Sequence, residues 1–210
     1  MIKAIIFDYD GVLVKSIDAY IPYFQKVLTK HGYAEPTGEE IRKNYYMTDH
    51  DLLQVLSGER SEEKIQAMID DPEPEPYDKV AVAIKVKETL EALKRYKLGV
   101  VSNAERKHVL DPLVRSGIEG YFSVIVTMED TRVHKPDPAP IKLALSKIGV
   151  EPDQAVYVGD YPTDVAAGKA AGTKVIYLSD IPDSGEDARV HAFSEIPDAI
   201  RNIEKPHTNV

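Results

Sequence analysis

Residues 3–11, KAIIFDYDG, decide the fold: an apolar, β-branched run ends abruptly on two carboxylates and a glycine. The run KAIIF does not alternate in polarity, so it reads as a strand buried on both faces, as a parallel sheet requires. Four further runs share this character: LGVVS at 98–102, SVIVT at 123–127, AVYVG at 155–159 and KVIYL at 174–178. Amphipathic segments separate them at 85–95, 105–116, 138–148 and 163–171. Strand and helix in alternation predict an α/β, doubly wound, parallel five-stranded sheet of Rossmann-like type.

The stretch from 18 to 80 breaks the pattern, with two or three helical segments and no convincing strand. A crossover that long is an insertion, so the expected organisation is a Rossmann-like core of 1–17 and 81–210 with a small inserted α-helical domain of 18–80. The segment DDPEPEPYD at 70–78 cannot continue a helix and reads as a stiff acidic linker. The 210 residues carry 43% hydrophobic and 29% charged residues, the balance of an ordinary globular chain. No run is long enough to span a bilayer, and the first residues lack the pattern of a signal peptide, so a cytoplasmic location is expected. A net charge of -9 argues against a broad grip on nucleic acid or an anionic membrane. The absence of cysteine excludes disulfides, thiolate metal sites and a cysteine nucleophile.

In an open parallel sheet, ligands bind beyond the carboxyl ends of the strands. There the chain places Asp8, Asp10 and Gly11 after the first run, Ser102 and Asn103 after the second, and Gly159, Asp160 and Asp164 after the fourth. Lys135, in VHKPDP, follows the third. Oxygen-rich carboxylates suit Mg²⁺, a hard cation that would offset the negative charge of a phosphate. One carboxylate, Asp8, can attack phosphorus and divide one hard hydrolysis into two easier steps. Asp10, two residues on and on the same side of an extended segment, can protonate the leaving group and later activate water. Ser102 and the N–H groups that follow it, including that of Asn103, can hold phosphoryl oxygens while Lys135 supplies a fixed positive charge.

FDYDGVL, VVSN, HKPDP and GDYPTD together resemble the four successive motifs of the haloacid dehalogenase-like superfamily, in order and across the whole chain. The resemblance implies that Asp8 is the nucleophile, Asp10 the acid/base, Ser102 and Lys135 the phosphate ligands, and Asp160 with Asp164 the metal side. It also implies that Asp8 binds the metal through its side chain and Asp10 through its carbonyl oxygen. The insertion resembles the helical cap of the phosphoglycolate phosphatase and β-phosphoglucomutase-like branch. The expectation is therefore a Mg²⁺-dependent phosphatase acting on a small soluble phosphate ester, phosphoglycolate-like by preference, as a monomer or homodimer with no nucleic acid or membrane partner.

Each motif alone has a plainer reading. Acids in GDxxxD also favour a helix N-terminus, and Ser-Asn is a common turn. Tyr20, Tyr23, Phe24, Val27 and Leu28 recur at helical spacing as core residues, whereas Arg42, Lys43, His50, Arg60 and His134 read as surface groups. Three departures from the family pattern are Lys15 where relatives often carry an acid, Tyr161 where a small residue is common, and Tyr20 where mutases resemble one another in having a histidine. The last counts against a β-phosphoglucomutase-like phosphotransferase. Asp10 counts against a dehalogenase, since a halide leaves without a proton. A non-catalytic phospho-acceptor module of the receiver kind would be shorter and would lack the insertion.

Overall fold

The structure, a computed structural model, describes residues 1–74, 76, 79–180 and 185–205. In chain order its main elements are β1 (Ala4–Phe7), β2 (Val14–Lys15), α1 (Ile17–Lys30), α2 (Gly38–Asn44), α3 (Asp49–Ser57), α4 (Glu62–Ile69), β3 (Ala81–Val82), α5 (Val86–Leu93), β4 (Lys97–Val101) and α6 (Arg106–Arg115). Then follow β5 (Phe122–Val126), α7 (Ala139–Ile148), β6 (Ala155–Gly159), α8 (Pro162–Ala171), β7 (Lys174–Leu178), β8 (Ala188–Val190) and α9 (Ile196–Glu204). They form two compact units, one of residues 1–14 with 82–210 and one of 15–81.

The first unit is built on a parallel sheet in the order β5-β4-β1-β6-β7-β8. Ala4 to Phe7 are fully buried because β1 lies at the centre of the sheet, with β4 on one side and β6 on the other. The chain runs outward from β1 through β4 to β5, then crosses back to β6 on the other side of β1 and runs outward again, so the carboxyl ends of β4, β1 and β6 frame a switch-point crevice. Register aligns Phe7 with Val100 and with Val158, and the Asp8 N–H donates to the Val158 carbonyl at 2.8 Å. This ladder delivers Asp8 in line with the end of β6. On one face, Ile141, Ala144, Leu145 and Ile148 of α7 pack with Ile6, Val101, Val126 and Tyr157 in a common core. Each of the isoleucine, leucine and valine side chains among these contributes about 1.5–3 kcal/mol on burial, which fixes the strand ends that carry the polar loops.

Among the described residues the sheet has six strands rather than the expected five. β8 escapes a sequence reading because a three-residue edge strand, Ala-Arg-Val, has no apolar run to betray it. A separate two-stranded ribbon pairs β2 with β3, so the first chain crossing falls between Val14 and Lys15 rather than after residue 17. Pairs this short carry almost no pattern.

Among the described residues the second unit contains four helices, α1 to α4, where two or three were expected. α2 and α3 are short, and their starts are fixed locally: the Thr37 hydroxyl accepts from the Glu40 N–H at 3.1 Å, and Thr48 does the same for Asp51 at 3.2 Å. Tyr20, Phe24, Val27 and Leu28 are buried along α1, whereas Tyr23 stays partly accessible. Of the acidic segment at 70–78, Glu75, Tyr77 and Asp78 lie outside the described residues. Its start is tied down, since Asp71 accepts from Lys30 at 2.7 Å and pairs with His31 at 2.9 Å.

Candidate active site

Asp8, Asp160 and Asp164 meet beyond the ends of β1 and β6, each with a carboxylate oxygen within 4.8 Å of the others'. Lys135 arrives from the loop before α7, and its buried ammonium bridges Asp8 Oδ1 at 2.5 Å and Asp164 Oδ1 at 2.8 Å. The Tyr157 hydroxyl donates to the same Asp164 oxygen at 3.1 Å, and the Lys135 ammonium lies 5.9 Å from the centre of the Tyr157 ring. The other Asp164 oxygen accepts the N–H groups of Asp160 at 3.2 Å and Tyr161 at 3.1 Å. Asp164 thus caps the start of α8 and holds Lys135 with the same carboxylate.

Asp160 is different. Its Oδ1 is buried and has no hydrogen-bond partner among the described residues. Burial raises the Asp160 carboxyl well above the usual range, and the charges of Asp8 and Asp164 add to the effect. Asp8 is pushed up to about 8, chiefly by burial and then by the Asp164 charge, with Lys135 opposing both. Burial alone would lower the Lys135 ammonium, but Asp164 and Asp8 outweigh it and hold its pKa well above the ordinary lysine value. Three carboxylates against one ammonium leave this pocket two charges short of neutrality when all are ionised. An orphaned buried oxygen in an all-oxygen donor set with that deficit fits a hard divalent cation.

Two glycines make the approach possible. Gly11 has φ +77°, and a Cβ built on it would lie 1.8 Å from Asp160 Oδ2. A Cβ on Gly159 would lie 2.2 Å from the Asp164 Cβ. Replacing Gly159 with Ala must push α8 and its Asp164 away from Lys135, and a shift of order 1 Å there costs about 10²-fold in rate. Steady-state kinetics of Gly159→Ala should register that loss; a rate within twofold of the parent would show that the contact is not needed.

The remaining expected residues occupy distinct places. Asp10 is half-buried, bridges in backbone to Val14, and does not belong to the three-carboxylate group. Ser102 follows β4, is buried, and accepts from the Ala104 N–H at 3.0 Å. The Asn103 amide bonds to the backbone of Lys135. In the second unit Arg42 pairs with Asp18, and His50 with Glu62 at 2.9 Å. Sequence reasoning placed Gly11 and Gly159 at the strand ends without giving them a role, and it passed over Tyr157. A tyrosine inside a fully buried strand was the available signal for the last, because its hydroxyl must find a partner.

Similarity to known proteins covers this whole arrangement. The model of the haloacid dehalogenase-like hydrolase family matches residues 5–178. Pyrophosphatase PpaX of Bacillus pumilus is 35% identical over 176 residues, 82% of this chain and 81% of its own. A second PpaX protein, from Clostridium perfringens, is 32% identical over 216 residues and covers 97% of this chain and 99% of its own. Among solved structures, a predicted phosphoglycolate phosphatase from Haemophilus somnus superposes with a TM-score of 0.80 at 26% identity, spanning 95% of this chain and 98% of that one. With all four motifs falling inside the matched span, the chain belongs to the haloacid dehalogenase-like hydrolase family.

Proposed function

We propose that this hydrolase is a Mg²⁺-dependent phosphohydrolase that transfers the phosphoryl group of a small soluble substrate to Asp8 and then to water. The observation that carries this reading is the buried Lys135 ammonium shared between Asp8 and Asp164, beside an Asp160 oxygen that no group among the described residues satisfies. Asp8, Asp160 and the Asp10 carbonyl would hold the ion, with Asp164 behind them. When bound, the ion supplies positive charge that draws phosphate oxygens toward an anionic nucleophile.

The chain's own groups divide the chemistry. Lys135 favours the ionised form of Asp8 against the effect of burial, a bound cation would complete that shift, and one Asp8 carboxylate oxygen is left to attack phosphorus. As the bond from Asp8 to phosphorus forms, the bond to the leaving oxygen breaks, and Asp10 gives that oxygen its proton. Ser102 accepts a bond from Ala104, so its hydroxyl hydrogen remains to donate to a phosphoryl oxygen. Asp10, now ionised, takes a proton from water, whose oxygen displaces Asp8 from phosphorus and restores the enzyme. The helical unit 15–81 serves as the cap and carries substrate selectivity.

The names of the PpaX relatives favour pyrophosphate as the substrate to place first, and the Haemophilus somnus neighbour favours phosphoglycolate second. A panel of pyrophosphate, phosphoglycolate and p-nitrophenyl phosphate, compared by kcat/KM with Mg²⁺ and with chelator, tests the proposal. Expected are turnover of at least one substrate that chelator abolishes, and a Tm raised by Mg²⁺. No hydrolysis of any member, or full activity in chelator, would defeat it.

A further inference from the structure

We infer that Asn103 is the positioning residue of Lys135, acting on its backbone and only through it on the reaction; this rests on the function proposed above. The Asn103 Oδ1 accepts the Lys135 N–H at 3.0 Å, and its Nδ2 donates to the Lys135 carbonyl at 3.1 Å. One side chain thereby grips both polar groups of a single residue that lies 32 positions away. An asparagine amide offers a donor and an acceptor in one plane, so it stands in for the neighbouring strand that Lys135 lacks.

That substitution matters because Lys135 sits outside any strand. The sheet ends at Val126 on this side, α7 starts at Ala139, and the segment between them is loop and a short turn at Met128–Asp130. Asn103, by contrast, is the second residue after β4, and the Ser102 N–H before it donates to the Val126 carbonyl at 3.0 Å. The grip transfers the rigidity of the sheet edge to the loop. It fixes both the position and the peptide orientation of Lys135, whose ammonium must then meet Asp8 at 2.5 Å and Asp164 at 2.8 Å. A long flexible side chain finds two such short contacts only when its root is held, since its rotamer freedom would otherwise spread the ammonium over several positions.

A double-mutant cycle separates this role from direct contact with phosphate. Asn103→Ala is expected to lower kcat/KM about 10- to 100-fold in the parent, and by less than about twofold in the Lys135→Ala background, because the grip has nothing left to aim. Equal losses in both backgrounds would overturn the inference, and so would an unaltered rate in the single variant. Amide hydrogen exchange supplies a readout independent of turnover. The Lys135 N–H should lose protection in Asn103→Ala and keep it in Asn103→Asp, which retains the acceptor; unchanged exchange in Asn103→Ala would refute the grip itself. Should the alanine variant fail to fold, the aspartate variant still decides, since losing only the donor should lower kcat/KM in the parent and not in Lys135→Ala. A parent enzyme inactive on every phosphate tested would bring down the functional reading, while the exchange result would still judge the grip.

Discussion

Asp8→Asn should abolish turnover, by about 10⁴-fold or more, while leaving the metal-free protein at least as stable as the parent at pH 8 to 9. The first half follows from chemistry: an amide oxygen is too poor a nucleophile to form the bond to phosphorus, and no neighbouring group replaces it. The second half follows from burial. Asp8 carries a folded-state pKa of about 8 against an ordinary 3.8, so folding favours its protonated form. A carboxyl raised in this way contributes stability that is complete below the unfolded value and is lost as pH rises through the folded one. The parent without metal should therefore weaken steadily between about pH 4 and pH 8, the interval set by those two values. Asparagine has the shape of the protonated acid and never ionises, and Lys135 keeps its contact with Asp164. Thermal melts of both proteins in chelator, at pH 5 and pH 9, should show the variant gaining on the parent as pH rises. Equal pH dependence would mean that Asp8 is not the strained group, and a variant with more than one per cent of parental kcat would remove it as the nucleophile.

This conflict between stability and chemistry explains what could be read from the chain alone. β1, β4, β5, β6 and β7 were legible because strands buried on both faces must be continuous apolar runs, and Ala4 to Phe7 are wholly inaccessible. β8 and the ribbon of β2 with β3 were not, since two or three residues in an edge position need no such composition. The acids after the strands stood out because ionisable groups next to buried runs are costly there unless they serve a purpose. The support around them was harder to see. Gly11 and Gly159 matter through empty space beside Asp160 and Asp164, and Tyr157 through one hydroxyl in an otherwise apolar strand. Asn103 looked like a turn residue or a phosphate contact because its partner, Lys135, is distant in sequence. Such roles reside in pairs, and a single sequence shows only the members.

Lys135→Ala should cost about 10²- to 10³-fold in kcat and, in the metal-free protein, about 3–5 kcal/mol of stability at pH 8 to 9. The ammonium is the only cation that contacts this carboxylate group among the described residues, and its side chain is 6% exposed. Its loss leaves Asp8, Asp160 and Asp164 facing one another with water largely excluded. They respond by binding protons: the folded-state pKa of Asp8, already near 8 with Lys135 opposing the rise, must climb further. By the same linkage, the variant continues to lose stability above the pH at which the parent has levelled off. The gap in Tm between parent and variant should accordingly be small at pH 5, where protonation relieves the repulsion, and wide at pH 9. Mg²⁺ should narrow that gap by restoring positive charge, without restoring the rate, because a cation bound among the carboxylates does not take the place of the ammonium between Asp8 Oδ1 and Asp164 Oδ1. Lys135→Arg should not rescue activity either, since a planar guanidinium cannot place one compact charge between Asp8 Oδ1 and Asp164 Oδ1 in a buried slot. A gap that ignores pH and Mg²⁺ would mean that the lysine stem, by packing, does the stabilising; a gap that closes in acid and in Mg²⁺ would identify the charge.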